Sequence, residues 1–101
     1  ADDKALREFV SNVARRTPVI VDEAYFDFVD VPGHKSMVDL VLKGEQVIVS
    51  RTASKIHGLA GLRVGFAVAR PDIIARLQQY VTGDANVFGL HAANASLQDV
   101  E

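Results

Sequence analysis

The sequence contains no cysteine. A disulfide framework, a thiolate metal site and a cysteine nucleophile are thereby excluded, and the composition fits a reducing compartment. A dominant charge is missing as well: 11 Lys and Arg stand against 13 Asp and Glu, a formal charge of −2. Such a balance gives no electrostatic footprint for nucleic acid or for an anionic membrane. Apolar runs such as Val47-Ile48-Val49 fall far short of the roughly 20 residues that span a bilayer. No secretory signal pattern is visible at the amino terminus. A cytoplasmic protein without nucleic-acid or membrane partners is therefore expected. His34, His57 and His91 are too far apart for metal-ligand or triad spacing, so no metal is expected. Internal repeats, low-complexity tracts and linkers are also lacking. What remains is 101 residues, 49% hydrophobic and 24% charged, an ordinary composition for one small domain or a piece of a larger one.

Leu6, Phe9, Val10, Val13 and Ala14 recur at intervals of three and four, which places them on one face of a helix. Pro18 biases the preceding residue toward extended backbone, so this helix is expected to stop near Arg16. The β-branched run of residues 18–21 has no polar alternation and reads as a strand covered on both faces. Residues 27–35, with Pro32 and Gly33, read as a loop. A short helix is expected over residues 36–43, with Ser36 as its N-cap and Gly44 as its left-handed terminator. Residues 46–50 form a second buried strand, followed by a polar, glycine-containing stretch over 51–61. A third strand is expected over 63–69, then a helix opened by Pro71 and Asp72 that runs to Val81. Thr82-Gly83-Asp84 breaks it, and the last segment is weakly helical without a clear cap. Three central strands alternating with helices indicate an α/β architecture.

Ligand sites in α/β proteins form at the carboxyl ends of strands and in the loops beyond them. Asp22 and Tyr25 close the first expected strand; Thr52, Ser54 and Lys55 follow the second; Arg63 opens the third. Taken singly, each has an ordinary role. Asp22 is a cap or a surface carboxylate, Lys55 a solvated charge, Tyr25 an amphipathic core residue. Thr52 and Ser54 are turn-formers, and Arg63 a partner for Asp22 or Glu23. Gly58, Gly61 and Gly65 do not make the Gly-x-Gly-x-x-Gly dinucleotide fingerprint.

Together the residues carry more. The segments Val21-Asp22-Glu23-Ala24-Tyr25-Phe26-Asp27-Phe28 and Ser50-Arg51-Thr52-Ala53-Ser54-Lys55-Ile56-His57-Gly58-Leu59-Ala60-Gly61-Leu62-Arg63-Val64-Gly65-Phe66 closely resemble the fold type I pyridoxal-phosphate-dependent aminotransferases of class I/II. Within them the chain is most similar to the histidinol-phosphate aminotransferase group. Lys55 follows Asp22 by 33 residues and precedes Arg63 by eight, in the family's order. The resemblance implies that residues 1–101 are part of the large, cofactor-binding domain, with the small domain absent, and that the isolated chain is inactive. It implies pyridoxal 5'-phosphate as cofactor and Lys55 as the catalytic residue, forming the Schiff base and moving the substrate α-proton. Asp22 would keep the ring nitrogen protonated, Tyr25 would donate to the ring oxygen, and Thr52, Ser54 and Arg63 would hold the phosphate. Gly58 and Gly61 would let the chain turn between Lys55 and the third strand. The implied reaction moves an amino group between an amino compound, histidinol phosphate first, and a 2-oxo acid such as 2-oxoglutarate. A homodimer is implied for the parent enzyme. Two other readings stand beside this one: an enzyme like threonine-phosphate decarboxylase, and a non-catalytic structural fragment. Residues after Gly83 depart from the family pattern and carry no implied role; His57 is not expected to be catalytic. Three strands cut from a larger sheet would leave an open edge and uncovered apolar faces, from which self-association is expected.

Overall fold

The Asp2 carboxylate accepts the Lys4 N–H at 3.4 Å and starts the first helix, α1 (Asp3–Ala14). These coordinates come from a computed structural model, which describes residues 2–99. After α1 follow β1 (Val19–Asp22), α2 (Val38–Leu42), β2 (Val47–Thr52), β3 (Gly65–Val68), α3 (Pro71–Gln78) and α4 (Val87–Gln98). Short 3-10 turns lie at Phe26–Phe28 and Ala60–Leu62.

The strands form one sheet in the order β1-β2-β3. β1 and β2 are parallel, with Val19 opposite Val47 and Asp22 opposite Ser50. β3 runs antiparallel to β2, with Val49 opposite Val68 and Thr52 opposite Gly65. Side chains alternate across a strand, so Val47 and Val49 point to one face, where they meet Val10 and Ala14 of α1 and Leu40 and Val41 of α2. Both valines are fully buried. Ile48 points the other way, into a cleft shared with Ile73 and Leu77 of α3. Gly65 is required by closeness: a Cβ there would lie 2.9 Å from the Arg51 carbonyl oxygen, which no side chain tolerates without moving the β2–β3 pair. No described helix is long and apolar enough to cross a membrane.

Several boundaries differ from the sequence expectation. β1 is not covered on both faces; Ile20 is 70% exposed, because α1 and α2 cover only the side of Val19 and Val21. α2 starts at Val38 after Met37, not at a Ser36 cap. Ser36 still accepts the Val38 N–H, at 3.1 Å, but its own proton goes to Glu23. Arg63 does not open the third strand, which begins at Gly65. α3 ends at Gln78, three residues before Val81. α4 does have a cap: Asn86, whose side chain accepts the Gly89 N–H at 3.3 Å.

α1 is tied to α2 and to the segment before it by Arg7. Its guanidinium donates to Asp3 at 2.9 Å, to both oxygens of Asp39 at 2.8 and 3.0 Å, and to the carbonyls of Lys35 and Ser36. Burial works against the charge on Asp39, but the hydrogen bonds and attraction of Arg7 outweigh it and hold the carboxyl below its ordinary value. A carboxyl lowered on folding stabilises the folded state above the unfolded pKa, about 3.8, and that contribution is lost as pH falls through the folded value. The urea midpoint of the wild type is therefore expected to exceed that of Asp39→Asn at neutral pH. The gap should close as pH falls below about 3.8 and through the lower folded value; a gap that does not change with pH would contradict the assignment.

Candidate active site

Because β1 and β2 are parallel and β3 returns against them, the carboxyl ends of β1 and β2 lie beside the amino end of β3. Asp22, Tyr25, Thr52, Ser54, Lys55 and Arg63 all emerge along this edge. Asp22 stands opposite Ser50, whose hydroxyl donates to Asp22 Oδ1 at 3.2 Å; the Ala24 N–H donates to the same oxygen at 3.1 Å. Both bonds leave Oδ2 open and fix the direction of the carboxylate. Tyr25 follows and is 60% exposed, with the Phe28 ring 6.3 Å away. The Lys55 ammonium lies over the Tyr25 ring, 4.9 Å from its centre.

Thr52 and Ser54 are held together by a local turn. The Ser54 N–H donates to Thr52 Oγ1 at 3.0 Å, and the Thr52 hydroxyl reaches Ser54 Oγ at 2.8 Å and the Val64 carbonyl at 3.3 Å. The one Thr52 proton serves either acceptor, and when it lies on Ser54 Oγ, Ser54 keeps its own hydroxyl proton for another acceptor. Beyond Lys55 the loop closes tightly, with the Gly58 N–H on the Lys55 carbonyl and the Leu59 N–H on the Ala53 carbonyl, each at 3.0 Å. Gly58 has φ +64°, a conformation that favours glycine; Gly61 has no positive φ, and the turn does not depend on it. Instead Arg63 carries the reversal, with φ 54° and ψ 48°, ending the 3-10 turn in the left-handed region. Its Nη1 donates to the Ala60 carbonyl at 2.8 Å. Arg63 therefore pairs with neither Asp22 nor Glu23. It shares the edge with Thr52 and Ser54, without a hydrogen bond to either among those described.

Glu23 has a different partner. Its side chain is 8% exposed and accepts from Arg51 Nη2 at 2.8 Å and Arg51 Nε at 3.1 Å. It also accepts from the Ser36 hydroxyl and the Met37 N–H, both at 2.7 Å. Arg51 in turn lies 4.2 Å from the centre of the Phe26 ring. The register brings this about: the Glu23 N–H donates to the Ser50 carbonyl, which sets Glu23 beside Arg51. The sequence signal was only the adjacency of Glu23 to Asp22 and of Arg51 to Thr52; pairing across 28 residues requires the register.

The edge presents a directed carboxylate, a phenol, an exposed primary amine, a hydroxyl pair and a guanidinium. This donor set suits a ligand with a protonated ring nitrogen, an aldehyde and a dianionic phosphate. Residues 1–101 match the family model described as aminotransferase class I and II. The chain belongs to that family.

Among the relatives of this member of the aminotransferase class I and II family, the histidinol-phosphate aminotransferase of Lysinibacillus sphaericus is 39% identical over 95 residues, covering 94% of the chain and 26% of that protein. The aromatic amino acid aminotransferase of Mycolicibacterium vanbaalenii is 44% identical over 97 residues, covering 95% of the chain and 28% of that protein. A crystal structure from Erwinia carotovora atroseptica, provisionally named a histidinol-phosphate aminotransferase, superposes with a TM-score of 0.87 at 40% identity. That match covers 96% of the chain and 29% of the Erwinia protein, so the two share one α/β fold. The chain thus spans between a quarter and a third of the length of these relatives.

Proposed function

We propose that this chain is part of the large, cofactor-binding domain of a pyridoxal-phosphate-dependent aminotransferase, and that the small domain lies outside residues 1–101. The observation that carries the reading is the convergence of Asp22, Tyr25 and Lys55 on one sheet edge, with Lys55 Nζ 4.9 Å from the Tyr25 ring. Pyridoxal phosphate, when bound, supplies an aldehyde for the lysine amine and a ring that takes up the electron pair left when the substrate loses its α-proton. The protein's own groups do the rest. Asp22, held by Ser50 and the Ala24 N–H, keeps a negative charge where a ring N–H needs an acceptor. Tyr25 donates its phenol proton to the ring oxygen. Ser54 donates its hydroxyl proton to the phosphate, Thr52 does so when its one proton turns away from Ser54 Oγ and the Val64 carbonyl, and Arg63 adds charge-assisted hydrogen bonds. The Lys55 amine would take the substrate's α-proton and hold it at Nζ.

The amino donor in this proposal is histidinol phosphate and the acceptor a 2-oxo acid such as 2-oxoglutarate, supported by the named activity of the Lysinibacillus relative. A second reading, transfer from aromatic amino acids, is supported by the Mycolicibacterium relative. A cytosolic homodimer completes the proposal. Its support is the cysteine-free sequence and the exposed Phe9, Ile20, Leu42 and Phe88. In the full-length enzyme with 2-oxoglutarate, glutamate formation from histidinol phosphate is expected to exceed that from phenylalanine at least about tenfold in kcat/KM, a transition-state difference of about 1.4 kcal/mol. The reverse order would select the second reading. A protein that takes up no cofactor and forms no glutamate would refute both.

A further inference from the structure

α4 touches the loop that carries Lys55 and Arg63 at three points. His57 Nδ1 lies 2.7 Å from the Ser96 hydroxyl. The Asn86 side-chain amide donates to the Leu62 carbonyl at 3.1 Å. Between these contacts Gly89 lets the loop come close; a Cβ there would lie 2.4 Å from Val64 Cγ2 and 3.2 Å from the Leu62 carbonyl oxygen. The two polar contacts bracket the site residues, since His57 follows Lys55 by two positions and Leu62 immediately precedes Arg63. Asn86 and Ser96 are ten residues apart, about 15 Å along one rigid helix. Both ends of the loop are therefore referred to a single straight element. Apolar packing does not decide where that element sits, because α4 buries only Gly89 and Ala93 and leaves Phe88 and Leu97 exposed.

We propose that α4 is a clasp on the lysine loop, with Ser96, acting through His57, and Asn86, acting through Leu62, as positioning residues that set Lys55 and Arg63 relative to the sheet. This rests on the proposed roles of Lys55 and Arg63. Ser96→Ala removes the hydroxyl while improving helix propensity, so α4 itself stays folded; Ser96→Thr restores the hydroxyl. Asn86→Asp keeps an oxygen for the Gly89 N–H but loses the donor to Leu62.

The first readout is amide hydrogen exchange in the cofactor-free, full-length protein. Exchange at Gly58 and Leu59 is expected to quicken by on the order of tenfold in Ser96→Ala, as for one lost hydrogen bond. It should return to the wild-type rate in Ser96→Thr, and amides of β1 and β2 should not change. Leu62 is expected to respond in the same way to Asn86→Asp. In the loaded enzyme, Ser96→Ala should weaken pyridoxal phosphate binding several-fold, again rescued by threonine. Unchanged exchange at Gly58 and Leu59, or equal acceleration throughout the sheet, overturns the clasp. A wild-type protein that binds no cofactor overturns the proposed function, and the exchange comparison still decides the clasp.

Discussion

Replacing Lys55 with alanine is expected to remove the yellow absorbance that forms when pyridoxal phosphate is added to the full-length enzyme, and to lower glutamate formation by at least about a thousandfold. The proposed role needs a primary amine that loses its proton, attacks an aldehyde and later carries a proton to carbon. Alanine has none of these capacities. Lys55→Arg is an informative companion, since it retains the long stem and the positive charge but stays protonated and is no nucleophile. It too should give no yellow band. Neither change should alter the unfolding free energy by more than about 0.5 kcal/mol, because the side chain is exposed and makes no hydrogen bond among those described. Loss of the band without loss of stability separates a cofactor-binding lysine from a solvated surface charge. A band that survives in both variants would assign the cofactor to another amine and refute the role of Lys55.

Glu23→Ala is expected to have the largest effect on stability, about 3 to 5 kcal/mol. Four donors converge on this carboxylate, which is 8% exposed, and its main partner Arg51 is only 22% exposed. Removing it leaves a largely buried guanidinium with only the more distant Asp27 carboxylate, 3.9 Å from Nη1, and the Ser36 hydroxyl and Met37 N–H without an acceptor. Glu23→Gln keeps the shape and part of the hydrogen bonding, so its cost should be smaller, about 1 to 3 kcal/mol. Urea denaturation of the two variants measures the difference. Since Arg51 also lies over Phe26, next to Tyr25 in the chain, cofactor binding should weaken together with stability. A Glu23→Ala protein as stable as the wild type would show that this cluster does not hold the site edge together.

Much of the scaffold could be read from local pattern. The β-branched runs before Asp22 and Ser50 became β1 and β2, the spacing from Leu6 to Ala14 became α1, and Gly44 adopts φ +85° after α2. Pro71 likewise opens α3. These features depend on residues close in sequence. What escaped depends on distance or on neighbours. The pairing of Glu23 with Arg51 follows from strand register, which no short window contains. One-sided cover of β1 follows from where α1 and α2 settle, and a run of valine and isoleucine reads the same whether one face or both are covered. Ser36 looked like a cap because its chemistry suits one; the competing acceptor, Glu23, lies 13 residues earlier. Asn86 does not stand out as a cap in the sequence because α4 has few apolar residues on a consistent face, and a cap is easiest to recognise in front of a clear periodic pattern.

The candidate site was legible as residue types and order, not as backbone. Asp22, Tyr25, Thr52, Ser54 and Lys55 meet through the parallel register of β1 and β2, which their places after two expected strands already implied. Arg63 reaches the same edge by a route that its sequence neighbourhood did not suggest. Gly58 and Gly61 are the residues the sequence offers for turning the chain, yet the second reversal falls on the arginine itself.

That reversal sets two demands on one position. A side chain other than glycine in the left-handed region costs on the order of 1 kcal/mol, and glycine at 63 would recover it. Glycine would also remove the only guanidinium that the loop offers to a phosphate. Backbone stability and the proposed role of Arg63 in holding a phosphate therefore push residue 63 in opposite directions. A stabilising substitution drawn from backbone preference alone would remove the proposed phosphate grip at this position.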